Sequence, residues 1–244
     1  MKLIRVGVLT MLGLLATAPP VLGGMFFNGV NGTINYGERD RLKEIDGSAV
    51  LTACFTLNVN QVKAQTFLSK TSDGGNASGF VVVAGTGSVN DISLNIAGQS
   101  ARVVNGALAD GRKRWCFVFD GSGTGNLGRV RIYKDGVYQT ITFSGVIPAT
   151  LPNPDVVMEL CVASHNLCAA LFAGADIAQI RIWVAALNSD EIQVLKRQHQ
   201  ALWKLYVFLS PTLAGRMAEA GRVCEDVIGF ENELPVERRG PGDG

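Results

Sequence analysis

Two strand-forming runs joined through a glycine-rich loop constrain this chain more than any other feature. Arg114–Asp120 reads Arg-Trp-Cys-Phe-Val-Phe-Asp, and Arg129–Thr140 reads Arg-Val-Arg-Ile-Tyr-Lys-Asp-Gly-Val-Tyr-Gln-Thr. Asp135-Gly136 is a two-residue turn signal, because such a turn needs positive φ at both central positions. The segment is therefore expected to run strand, loop, hairpin. Trp115, Phe117 and Phe119 fall on one face of the first strand, and Cys116 and Val118 on the other. A strand apolar on both faces belongs inside a two-sheet sandwich.

The other signals agree. Ala49–Val59 alternates, with Leu51, Ala53, Phe55 and Leu57 on one side, and Asp91–Ile96 alternates with Ile92, Leu94 and Ile96 inward. Gln65–Lys70, Phe80–Ala84, Val156–Val162 and Ala175–Val184 read as further strands, and Met25–Glu44 as short strands cut by Asn-Gly turns. One helix is expected after Asn188, which can cap it, with Glu191 three positions on to complete a capping box and Ile192 and Leu195 as its inward edge. With 29 glycines against 8 prolines the composition suits many strands joined by tight turns.

The expected organisation is one sandwich over 24–198 with extensions. Residues 1–23 match a secretory signal: Lys2 and Arg5 form a basic start, Val6–Ala18 an apolar run, and Val21-Leu22-Gly23 a small-residue exit. Translation starting at Met25 is the alternative. Export places the protein outside the cell or in a periplasm, and no later segment is long and apolar enough to anchor it after signal cleavage. Residues 199–230 are expected to dock on the sandwich and 231–244 to be a disordered tail. The 22 basic and 21 acidic residues nearly cancel, so no overall field draws the chain to nucleic acid.

Four stretches together resemble the concanavalin A-like jelly roll of laminin G and pentraxin domains. They are Phe27-Asn28-Gly29-Val30-Asn31; Leu51-Thr52-Ala53-Cys54-Phe55; Trp115–Asp120 with Tyr133-Lys134-Asp135-Gly136; and Ala175–Trp183 with Leu187–Ile192. The resemblance implies an all-β fold, a two-sheet antiparallel jelly-roll sandwich with one short C-terminal helix. It also implies a Cys54–Cys116 disulfide, the alternative being two buried free thiols in a cytosolic chain. Cys161 and Cys168 flank six residues, a spacing open to a second bridge, and Cys224 is left over.

The pentraxin-type calcium cluster is not matched. Ala163, Ser164 and His165 stand where the resemblance expects acids and amides, and the loop before Phe80 offers only Asp73 and Asn76, too few oxygen ligands for a hard dication. No metal or cofactor is expected there, with Asp91 left open as a calcium ligand elsewhere. Glucanases of the same superfamily use an E-x-D-x-x-E strand; Glu44 and Asp46 match its first half, but Ala49 replaces the third acid, so both read as solvated turn residues. Gly123–Gly128 spells a dinucleotide fingerprint but leads into a strand, and reads as a flexible loop. Arg112-Lys113-Arg114 reads as a wet entrance to a strand, and Tyr36, Tyr133 and Tyr138 as residues able to reach the surface.

The expectation for function is a secreted, non-catalytic recognition module whose partner is a glycan or a protein surface, with oligomers open. The resemblance brings the loops 71–79 and 164–166 to one rim, making Asp73, Asn76, His165 and Asn166 the candidate ligand-binding residues. The alternatives are a structural, adhesive or virion-surface module and, behind it, a glycan-cleaving hydrolase.

Overall fold

A computed structural model describes residues 25–198 apart from 38–39, 61–62, 73–76, 86–89, 105–107, 109–110, 154–157, 165–167 and 169–170. The expected signal segment, the docking segment and the C-terminal tail lie outside the described residues. Thirteen strands are described: β1 (Met25–Asn28), β2 (Ile34–Asn35), β3 (Val50–Val59), β4 (Gln65–Thr71), β5 (Phe80–Ala84), β6 (Ile92–Ile96), β7 (Gln99–Val103), β8 (Lys113–Asp120), β9 (Val130–Lys134), β10 (Val137–Tyr138), β11 (Thr142–Ser144), β12 (Glu159–Val162) and β13 (Gly174–Trp183). They form two antiparallel sheets. One has six strands in the order β1-β13-β3-β8-β9-β10, the other seven in the order β11-β7-β6-β5-β4-β12-β2. This is a two-sheet antiparallel jelly-roll sandwich, and among the described residues helix is limited to the turns α1 (Asp40–Lys43) and α2 (Gly125–Arg129) and to α3, residues 189–198.

The core lies between the sheets. Phe55 and Phe67 from opposite sheets meet there, and Phe117 stacks on both Phe55 and Trp115. Two bulges decide what else enters it. In β4 the register slips between Thr66 and Leu68, so Phe67 and Leu68 both face the core, and the alternation that resumes points Lys70 inward. Lys70 is 1% exposed and pairs with Asp46, itself 13% exposed at the side chain. Asp46 is thus held by a buried cation and is not the solvated turn residue expected, whereas Glu44 is exposed. In β13 the slip between Ala178 and Arg181 passes through Gln179 at φ 52° and moves the inward set from Ala175 and Ile177 to Ile180 and Ile182.

The two apolar faces of β8 have different covers. Trp115, Phe117 and Phe119 enter the core, while Cys116 and Val118 lie on the outer side under Leu187, just before α3, and under Ile192 and Leu195 of α3. The capping box forms: Asn188 Oδ1 accepts from the backbone N–H of Asp190 and Glu191, at 2.9 and 3.0 Å, and Glu191 accepts from Asn188 N at 2.7 Å. Cys54 and Cys116 are register partners on β3 and β8 and are joined by a disulfide; Cys161 and Cys168 are joined by a second.

Other expectations are corrected. Gly123–Gly128 is no loose loop, because α2 occupies its end: Asn126 bonds Gly145 O and Ile147 N, and Arg129 bonds Gly123 O and Ile147 O. Arg112 is exposed at the entrance to β8, but Arg114 is 6% exposed. Tyr133 is buried and makes an edge contact with the exposed Tyr138. Asp91 is buried and pairs with Arg102 at 3.7 Å.

Candidate functional site

Each sheet has an outer face, and the two differ in chemistry. On the six-stranded sheet, α3 covers Cys54, Cys116, Val118 and Tyr133. On the seven-stranded sheet, the alternation that sends Ile92, Leu94, Ile96, Ala101 and Val103 into the core turns Ser93, Asn95, Ser100 and Arg102 outward. Phe143 packs against the core, so Thr142 and Ser144 turn outward beside them on β11.

These six side chains form two rows across three strands. Asn95 stands opposite Ser100, which stands opposite Ser144; Ser93 stands opposite Arg102, which stands opposite Thr142. Neighbouring strands lie about 4.8 Å apart, so each row spans about 10 Å, on the scale of a disaccharide. Exposure falls from the edge inward: Thr142 and Ser144 are exposed, Ser100 and Arg102 half-buried, Ser93 and Asn95 buried. Beyond β6 the same face continues through Val81, Val83, Thr66, Ser69 and Thr71, all buried.

Hydrogen-bonding capacity is left over. Asn95 Oδ1 and Ser100 Oγ, on opposed residues, have no hydrogen-bond partner, and neither do Thr66 Oγ1 and Thr71 Oγ1 farther along the face. A buried acceptor without a partner costs about 1–3 kcal/mol. Arg102, by contrast, is held by Asp91, and Thr142 Oγ1 donates to Arg102 O at 3.3 Å. The platform is a largely neutral set of hydroxyls and amides beside one cation already paired.

Asp73, Asn76, His165 and Asn166 lie outside the described residues. Their flanks are described. The 72–78 segment leaves after Thr71, which pairs with Glu159 at the start of β12, whereas Ala163 follows the other end of that strand. Ser164 then turns back over the face: its carbonyl accepts from Ser69 Oγ at 2.8 Å, and its hydroxyl bonds with Thr33 Oγ1.

Sequence reading missed β7 and therefore the platform. Gln99-Ser-Ala-Arg-Val has little apolar alternation, and its hairpin turns at Ala97-Gly98, both at positive φ, without the asparagine or aspartate that usually announces such a turn. The signal available was the inward set of β6, which already implies that Ser93 and Asn95 face out.

No protein-family model matches the sequence, and no curated protein matches it. Solved structures do resemble it. A native heptameric SAP-like pentraxin from Limulus polyphemus is 12% identical, with 61% of this chain and 70% of that one covered and a TM-score of 0.45. Trypanosoma rangeli sialidase is 16% identical, with 74% and 28% covered and a TM-score of 0.54. NanB sialidase from Streptococcus pneumoniae is 14% identical, with 71% and 28% covered and a TM-score of 0.51. The chain thus spans 28% of the length of those two sialidases, and at such identities the likeness is one of fold.

Proposed function

We propose that the protein is an exported, non-catalytic recognition module that binds a glycan through the outer face of its seven-stranded sheet. The observation that carries this reading is the opposed pair Asn95 and Ser100, whose Oδ1 and Oγ have no partners, set in two polar rows that run out to exposed Ser144 and Thr142. Neutral acceptors and hydroxyls at strand spacing complement sugar hydroxyls, which donate and accept in turn. Two disulfides support export, since such bridges persist in oxidising compartments. Against a hydrolase stands Asp46, committed to Lys70.

The test is titration of the purified chain with an oligosaccharide panel. Asn95→Ala with Ser100→Ala removes two hydrogen bonds of about 0.5–1.5 kcal/mol each, so affinity is expected to fall about tenfold or more with the melting temperature held. A separate variant with alanine at Asp73, Asn76, His165 and Asn166 tests the rim. Binding that survives the first double variant removes the platform; loss in the second alone returns the site to the rim.

One observation favours an assembly role instead. Phe26, 69% exposed, and Val30, 70% exposed, stand on and just after β1, the edge strand of the six-stranded sheet. A mass that rises with concentration and falls back in Phe26→Ser, without binding to any sugar, would favour that reading.

A further inference from the structure

At the opposite end of the seven-stranded sheet, Cys161 and Glu159 project from the outer side of β12, and Cys168 reaches back to Cys161 from the following loop. One sulfur from each cysteine and a carboxylate oxygen of Glu159 all lie within 4.8 Å of one another. Asn35, the register partner of Cys161 on the edge strand β2, donates from Nδ2 to Glu159 Oε2 at 2.8 Å. That bond fixes the carboxylate and leaves its other oxygen available.

We propose that Cys161, Cys168 and Glu159 form a zinc site that opens when the Cys161–Cys168 bridge is reduced. A dithiol reductant supplies two electrons and two protons, the S–S bond breaks, and two thiols form. Zinc then replaces both thiol protons, which pass to solvent, and is held by two thiolates and one carboxylate with water in the fourth position. Tetrahedral zinc with Zn–S bonds of about 2.3 Å needs its two sulfurs about 3.8 Å apart. Cys161 is held in a strand, whereas Cys168 lies outside any strand, so Cys168 is the ligand that would shift to provide the gap. The donor set favours a soft or borderline ion over calcium, which takes oxygen ligands. Asn35 is a positioning residue, orienting Glu159 as outer-shell partners commonly orient a metal-binding side chain.

The other bridge lacks these features. Cys54 and Cys116 are 0% and 2% exposed, lie on paired strands under α3, and have no third ligating group beside them among the described residues. The two oxidation states of the 161–168 pair therefore do different things: the oxidised form closes the loop, and the reduced form takes up metal.

The experiment uses the full chain carrying Cys224→Ser, reduced with a phosphine under conditions where mass after alkylation shows the Cys54–Cys116 bridge intact. Cobalt(II) is the probe, because thiolate ligation gives it a charge-transfer absorption, and zinc is then added to displace it. The expected result is one equivalent bound, only after reduction, with protection of two thiols from alkylation. Cys161→Ser and Cys168→Ser are expected to abolish the band, and Asn35→Ala and Glu159→Gln to weaken zinc binding about tenfold or more. Glu159→Gln removes no cysteine, so it keeps the test decisive if the serine variants fail to fold. A reduced protein without the thiolate band, a band that persists in Cys161→Ser, or zinc affinity unchanged in Glu159→Gln would overturn the proposal.

Discussion

Replacing Arg114 by methionine is expected to stabilise the protein. Arg114 lies on the outer side of β8 opposite Thr56, is 6% exposed, and has no partner for Nε or Nη2. Burial, and after it the charge of Arg181, pushes its guanidinium down to about 10. That displacement corresponds to about 3 kcal/mol of unfavourable interaction for the charged form, an upper bound on what removing the charge returns. Methionine keeps much of the buried stem and leaves no large cavity, so a gain of about 1–3 kcal/mol is expected; Arg114→Ala loses packing as well and gains less. The backbone N–H of Arg114, which donates to Asp135 Oδ1 at 2.9 Å, is untouched. The pH dependence has a definite sign. The folded value lies below the unfolded one, so between about 10 and the ordinary arginine value the unfolded chain holds more protons, and this group makes stability rise with pH. Below that window both states are charged, and the advantage of the variant is flat from about pH 6 to about pH 9. Urea unfolding of the wild type, Arg114→Met and Arg181→Met measures it, with the smaller gain expected at Arg181. An Arg114→Met protein less stable by about 1 kcal/mol or more would refute the reasoning and show that the guanidinium is paired with an anion.

Removing the Cys54–Cys116 bridge, whose ends are 62 residues apart, is expected to cost about 4 kcal/mol in the chain-entropy model, and removing Cys161–Cys168, 7 residues apart, about 2.5 kcal/mol. Denaturant midpoints of the two double-alanine variants give the order, and a larger loss at the short loop would contradict it. Asp46→Ala removes one anionic partner of the buried Lys70 ammonium and is expected to cost about 3–5 kcal/mol, much of it restored when Lys70→Met is added; a double variant no better than the single one would argue against the pairing. Burial raises the Tyr133 hydroxyl above the ordinary tyrosine value, although Arg131 pulls it back. Its unfolded form therefore ionises first, stability contributed below that ordinary value is lost as pH rises past it, and Tyr133→Phe is expected to flatten the loss in alkaline denaturation curves.

The parts of the fold legible in sequence are those where local pattern and tertiary position agree. Alternation placed Leu51, Ala53, Phe55 and Leu57 inward, and Asp135-Gly136 turns with positive φ at both residues, as expected. Asn188 and Glu191 cap α3 reciprocally. What failed depended on parity. A bulge costs one residue and leaves no compositional mark, so nothing in Gln65–Thr71 announces that Phe67 and Leu68 share a face or that Lys70 follows them into the core. Asp46 was misjudged for the same reason, because its partner becomes visible only once the parity of β4 is known. Arg114 looked like a solvated strand entrance because it follows two other basic residues, yet one step farther along a strand turns a side chain to the opposite face.

The two outer faces bear on where recognition belongs. A sandwich of this kind closes its core between the sheets and leaves two further surfaces, each of which is either packed or solvated. On the six-stranded sheet Leu187, Ile192 and Leu195 pack over the Cys54–Cys116 bridge, so that side is spent on stability. On the seven-stranded sheet the outward residues of β6, β7 and β11 are serine, asparagine, arginine and threonine, which add little as packing and leave Asn95 Oδ1 and Ser100 Oγ without partners. Apolar residues at 93, 95 and 100 would stabilise a merely structural surface better, since buried hydroxyls and amides cost free energy unless they are hydrogen-bonded. If the platform is only structural, Asn95→Leu with Ser100→Val stabilises the fold and leaves every binding property intact; if it is the site, stability rises while glycan binding disappears.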